Sequence, residues 1–199
     1  MYQYALGRRR NRKTRSADNR KRAMMQLIRF ESGMRRLGAL ALLVTLSAIL
    51  WGVFRGLRRP AGRTVGRPQR IMNAPTYLAI GVPYFGLCVL LWRPLPLTLS
   101  RPARLAALML GTLLYFPGLA LVLWGRLTLG KMYNVSSSLG AQLYADQQLI
   151  THGPYALVRH PIYLGVLVAS LGGLLLYRTW TLVFTTLNFI GLVFRARRE

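Results

Sequence analysis

The sequence predicts an all-α integral membrane protein of about five transmembrane helices, the last two forming a short helical hairpin. Three observations predict it. Of 199 residues, 53% are hydrophobic and only 16% charged, whereas an average globular chain carries roughly 25% charged residues. The charge is also one-sided, with 28 Lys+Arg against 4 Asp+Glu and a formal net charge of +24. Finally, the arginines punctuate long apolar runs, the pattern expected when cations sit in the water or headgroup layers at the ends of spans. A basic nucleic-acid binder carries its charge on a soluble fold instead, so no nucleic-acid partner is expected.

Residues 1–36 hold 12 Lys+Arg, among them Arg8-Arg9-Arg10, Arg20-Lys21-Arg22 and Arg35-Arg36, against Asp18 and Glu31 alone. Such a run reads as a basic, disordered N-terminal tail, suited to anionic lipids. The first span is Leu37 to Phe54, about 18 residues and too long for a typical signal-peptide core; no convincing cleavage site follows it. Arg55 to Arg70 is an arginine-rich loop in which Gly56, Pro60, Gly62, Gly66 and Pro68 break any helix. The second span runs from Tyr77 to Trp92 and the third from Leu105 to Trp124, joined by a turn containing Arg93-Pro94-Leu95-Pro96 and Arg101-Pro102. Residues 37–124 thus form a region of three spans with arginine-rich loops.

Residues 125–199 have another character and are the candidate functional region. The stretch 125–161 is more polar and contains both histidines, His152 and His160, with Asp146. Two apolar runs follow, Ile162 to Tyr177 and Trp180 to Phe194, separated by Arg178-Thr179. With 15 or 16 residues each, at about 1.5 Å per residue they fall short of a hydrocarbon layer roughly 30 Å thick. They must extend into their flanks, thin the bilayer or form a hairpin that stops short of the far face, with Arg178 at the tip snorkelling outward. The single cysteine, Cys88, lies in an apolar run and reads as a small buried hydrophobe; no intrachain disulfide or cysteine-based metal site is possible.

Topology presents a conflict. If 125–161 and the C-terminal arginines face the cytoplasm, five spans place the basic N-terminus outside, against the positive-inside preference. A start at Met24 or Met25 resolves it: nine Lys+Arg are removed, leaving three outside against six in Arg55–Arg70. N-terminal sequencing of the mature protein tests this.

The informative block is Gly153-Pro154-Tyr155-Ala156-Leu157-Val158-Arg159-His160-Pro161-Ile162-Tyr163-Leu164-Gly165. Gly153-Pro154 makes a turn. Pro161, whose fixed φ suits the first helical position, starts a helix with His160 as its N-cap. The free amides and positive dipole end of that helix point into 125–161, a natural place for a carboxylate or phosphate, with Tyr155, His160 and Tyr163 around it. Interfacial aromatics beside a snorkelling Arg159 would look the same, so the residues alone leave both readings open. His152 reads as a solvated loop residue. Phosphate-loop, dinucleotide Gly-x-Gly-x-x-Gly, Cys-x-x-Cys and His-Glu-x-x-His motifs are absent, and no metal site is expected.

This block, entering a short hairpin and an arginine-rich last helix, resembles the isoprenylcysteine carboxyl methyltransferase family and the related phospholipid methyltransferases, over roughly Leu127 to Glu199. The resemblance implies a membrane-embedded methyltransferase using S-adenosylmethionine, with the cofactor taken from the cytosol and a lipophilic or lipidated substrate from the bilayer. It implies that 125–199 is the catalytic, cofactor-binding region, in which Gln148, Leu149, Ile150, Tyr155, His160, Pro161, Ile162 and Tyr163 line the cofactor. It also implies that Arg195 binds the substrate and Glu199, four residues on and on the same helical face, binds the cofactor. Glu199 is the last residue, where the family continues with a second acidic residue and a cytosolic tail; either the reading frame continues or the site is impaired.

The expected reaction is methyl transfer to a carboxylate such as that of an isoprenylcysteine, in the plasma membrane of a prokaryote with the site facing the cytoplasm. A carboxylate is already ionised, which suits a chain with so few acids and bases. A lipid amine must first lose a proton, for which His160, Glu199 and His152 are the candidates. The alternatives are a phospholipid or lipid-amine N-methyltransferase, a sterol-reductase-like NADPH oxidoreductase, and a non-catalytic polybasic membrane protein. Oligomeric state is left open.

Overall fold

The structure, a computed structural model, describes residues 2–58, 64–65, 74–133, 143–144 and 148–196, with side chains for 18–19, 21–55, 75, 78–130, 132–133 and 148–191. Five helices carry the described chain: α1 (Tyr2–Arg58), α2 (Ala74–Leu90), α3 (Arg101–Leu129), α4 (Pro161–Tyr177) and α5 (Trp180–Ala196). The all-α expectation therefore holds. One small addition is an antiparallel pair of two-residue strands, β1 (Thr64–Val65) and β2 (Leu143–Tyr144), with Thr64 opposite Tyr144 and Val65 opposite Leu143. The chain divides into two compact units, Met1–Leu37 and Gly38–Glu199.

The first unit corrects the sequence reading, because the basic segment expected to be disordered is helical from Tyr2 onward. It contains no proline and is rich in Arg, Lys, Ala, Met and Leu, all good helix formers. Two i,i+4 pairs support it, Arg22 with Asp18 at 3.1 Å and Arg35 with Glu31 at 2.7 Å.

Among the described residues, two helices are long and apolar enough to cross a membrane, Lys21–Arg55 within α1 and Arg101–Leu129. Leu78–Leu90, Pro161–Tyr177 and Trp180–Gly191 are shorter apolar helices, so span length is established for two of the five expected crossings. At 17 residues, α4 is about 25 Å long. Large apolar side chains are exposed along α2, including Leu78, Val82 and Val89, a surface suited to lipid rather than water.

The core of the second unit is the packing of α3 on α4. Gly111, Gly118 and Gly125 recur every seven residues, two helical turns apart and so on one face of α3. Opposite them on α4 lie Gly165, Ala169 and Gly172. A Cβ on Gly118 would stand 2.5 Å from the Ala169 amide nitrogen, and one on Gly165 would stand 2.8 Å from the Gly118 carbonyl oxygen. The small residues let the two backbones touch, the usual way helices associate when lipid removes the hydrophobic drive. Leu108, Tyr115, Leu119, Val122 and Leu176 are buried around this seam. The Tyr115 hydroxyl donates to the Gly38 carbonyl of α1 at 3.1 Å.

The α4–α5 hairpin is pinned at its tip. Arg178 ends α4 with a left-handed φ of 54°, and its amide donates to the Leu174 carbonyl. The Leu95 amide donates to the Arg178 carbonyl at 2.8 Å, and the Trp180 and Thr181 amides donate to the carbonyls of Arg93 and Leu91. Thr181 also donates its hydroxyl to the Cys88 carbonyl at 2.6 Å, tying α5 to α2. Cys88 itself is partly rather than fully buried.

Candidate functional site

The last turn of α3 and the first turn of α4 meet, and the candidate site is built where they do. Gly125 makes this contact possible, since a Cβ there would lie 2.9 Å from Ile162 Cγ1 and 3.5 Å from Pro161 Cγ. His160 is the N-cap of α4 and Pro161 its first residue, as the sequence predicts, and no side chain caps the first turn. That leaves the amides at this positive helix end without the side-chain partner that usually satisfies one of them. His160 is exposed and stacks on Tyr163, with ring centroids 5.5 Å apart and planes 16° from parallel.

The Gly153-Pro154 turn is a short 3₁₀ segment, Gly153–Ala156, lying against the end of α3. Gly153 has a φ of +62°, and a Cβ on it would approach Thr128 Oγ1 to 3.1 Å. The left-handed conformation favours glycine, and the space beside Thr128 is tight. Pro154 is buried, and Tyr155 sends its hydroxyl to the Gly125 carbonyl in a long hydrogen bond of 3.4 Å. The turn thus presents Tyr155 toward the α3–α4 junction.

Two residues that the sequence reading did not single out complete the cluster. Arg126 follows Gly125 and is only 7% exposed. Its Nη1 donates to the Gly130 carbonyl at 3.2 Å, and its guanidinium carbon lies 4.2 Å from the centroid of the Tyr133 ring, within cation–π range. A Cβ on Gly52 of α1 would run into the same guanidinium. Tyr133 and Tyr155 feel Arg126, and each also feels Tyr163. The signal available in the sequence was Arg126 itself, a cation two residues beyond Trp124, still in phase with the apolar helix that precedes it.

Burial pushes the Tyr155 phenol up from an ordinary 10.0 to about 12; Tyr133 adds to the rise and Arg126 opposes it. Burial also raises Tyr133, against the pull of Arg126. Because the folded protein holds these protons more tightly than the unfolded chain, stability falls as pH rises wherever the unfolded chain has already released them. The stabilisation from Tyr155 is full below pH 10 and is lost as pH climbs through about 12. We expect denaturant unfolding of Tyr155→Phe to depend less steeply on pH in that window than unfolding of the parent; identical slopes would show that Tyr155 does not titrate this way.

The sequence-predicted residues therefore fall into three groups. Tyr155, His160, Pro161, Ile162 and Tyr163 are gathered at the α3–α4 junction, with Pro161 fully buried and Ile162 packed on Gly125. Gln148 and Leu149 are exposed, Leu149 to 89%, and Ile150 is partly buried. Arg195 belongs to the last turns of α5, but its side chain and the whole of Glu199 lie outside the described residues, as does Asp146. No group of three or more potential metal ligands occurs among the described residues.

Residues 109–199 match the isoprenylcysteine carboxyl methyltransferase (ICMT) family, a family of methyltransferases. The matched stretch begins in α3 and contains Arg126, Tyr133 and every residue of the block from Gly153 to Gly165. No curated protein and no solved structure matches the chain.

Proposed function

We propose that this chain is a membrane-embedded methyltransferase that moves the methyl group of S-adenosylmethionine onto a lipophilic carboxylate, such as that of an isoprenylcysteine. The observation that carries the reading is the convergence of Tyr155, His160 and Tyr163 on the uncapped N-terminus of α4, inside the family-matched stretch. These groups suit the cofactor chemically: stacked aromatic faces suit a purine, and a helix N-terminus favours a carboxylate. By the family resemblance, Gln148, Leu149, Ile150, Pro161 and Ile162 join them, Glu199 contacts the cofactor and Arg195 the acceptor. When bound, S-adenosylmethionine supplies a methyl group already activated by its sulfonium. The work left to the protein is alignment of the acceptor and exclusion of water. A carboxylate acceptor is ionised at neutral pH, so no general base has to be found among the few acids and bases of the chain.

In this reading the apolar part of α1, Leu37–Phe54, and helices α2 to α5 lie in the plasma membrane of a prokaryote, with the site on the cytoplasmic side. Helices α4 and α5 form a hairpin that stops short of the far face. Its tip can do so because the backbone groups around Arg178 are bonded to residues 91–95, so none of those groups has to reach water.

The test is S-adenosylmethionine binding to the purified full-length protein by calorimetry in detergent. Binding is expected, weakened by about tenfold in Tyr163→Ala and His160→Ala, the scale of losing an aromatic contact worth about 1.4 kcal/mol. Absence of binding to a correctly folded parent overturns the proposal. An NADPH-dependent reductase or a purely lipid-binding protein would give that result.

A further inference from the structure

Arg126 carries a feature that the proposed reaction leaves unused. A guanidinium has five N–H donors and cannot lose its charge in a protein. This one is 93% buried, as its 7% exposure implies. Among the described residues it has one hydrogen bond, to the Gly130 carbonyl, and one aromatic face, Tyr133. Among the described residues its Nε has no partner, and no carboxylate pairs with it. A second cation, Arg55, lies within electrostatic reach, so the described surroundings add positive charge instead of cancelling it. A buried, underbonded cation is costly unless an anion completes it.

The surroundings also indicate which anion. The guanidinium fork matches two coplanar oxygens, and the nearby phenols of Tyr133 and Tyr155 keep their protons at neutral pH, making them donors rather than competing anions. Arg126 sits one residue from Gly125, which packs on Ile162 at the first turn of α4 and accepts the Tyr155 hydrogen bond. It is therefore part of the junction that the cofactor reading uses.

We infer that Arg126 is a carboxylate-binding residue of this site, gripping either the amino-acid end of the cofactor or the acceptor's carboxylate through its unpartnered edge. The choice between these two ligands rests on the methyltransferase reading; the anion site itself does not. Removing the guanidinium without its bulk, as in Arg126→Met, is expected to leave the ligand-free protein folded with an unfolding temperature no lower than the parent's, since an uncompensated buried charge is lost. Gly52→Ala is the second variant: it keeps the charge but displaces the guanidinium, because the new methyl meets the flexible end of Arg126.

The experiment compares ligands that differ only in the carboxylate, using the full chain in detergent. S-adenosylmethionine is set against decarboxylated S-adenosylmethionine, and N-acetyl-S-farnesylcysteine against its carboxamide. In the parent one of these pairs is expected to show a carboxylate preference of about tenfold or more, the scale of a charge-assisted bond. Both variants should lose that preference, and the pair affected identifies the source of the carboxylate. A preference retained in both variants overturns the inference while leaving the methyltransferase reading intact. If the parent binds neither S-adenosyl compound, that reading falls and Arg126 is judged on a simpler probe, hexanoate against hexanamide, by thermal shift. Stabilisation by hexanoate alone, absent in Arg126→Met, supports the anion site; equal shifts in parent and variant overturn it.

Discussion

Gly118→Val is expected to cost the protein about 3 kcal/mol or more and to lower its unfolding temperature in detergent more than any other single change considered above, at the upper end of what overpacking does. A β-carbon at 118 would stand 2.5 Å from the Ala169 nitrogen and 2.8 Å from its α-carbon. Both are backbone atoms in the middle of α4, so no rotamer change relieves the contact and the two helices must separate. Separation exposes Val122 and Leu176, each about 1% exposed in the native packing, and withdraws the first turn of α4 from Gly125. The same variant should therefore lose cofactor affinity as well as stability. Gly81→Ala is the matched control, because nothing lies within 4 Å of the added atom, and it should melt with the parent. If Gly118→Val also melts with the parent, the close α3–α4 packing is wrong.

That seam was not legible in the hydropathy of the chain. The five apolar runs mark the five helices, and Leu105–Trp124 lies inside α3, Arg101–Leu129. Hydropathy, however, reports only the section that avoids water. The backbone ladder continues through Arg101, Arg104 and Arg126 until Gly130, at a φ of +47°, stops it. The same limitation hid the helical character of the basic segment, where charge argued for a tail while local propensity favoured a helix. The start of α4 was legible because it depends on local chemistry: proline has no amide to satisfy, which makes it a natural first residue. Arg126 was not, because its interest lies in what surrounds it. Gly52, which the guanidinium covers, comes from α1, far from Arg126 in the chain, and one sequence does not reveal their meeting. The seven-residue spacing of Gly111, Gly118 and Gly125 was present in the sequence and is the signal that would have located the seam.

The class of acceptor should be visible in the pH dependence of methyl transfer. A carboxylate with an ordinary value of about 4 is fully ionised from roughly pH 6 to pH 9, so the rate at saturating cofactor should be nearly flat across that range. An ammonium with an ordinary value of about 10 is the opposite case: only its minor neutral form is nucleophilic, and the rate should rise with pH throughout. The site's own phenols do not blur this contrast, since burial raises both Tyr133 and Tyr155, and neither supplies a phenolate base within the range. Chemical stability gives an independent reading, because a methyl ester formed on a carboxylate is released by alkali and an N-methyl group is not. With labelled S-adenosylmethionine and a lipid extract as acceptor, we expect a flat profile and alkali-labile label. A rate that climbs with pH, together with label that survives alkali, would move the protein to the lipid-amine side of the methyltransferases it resembles.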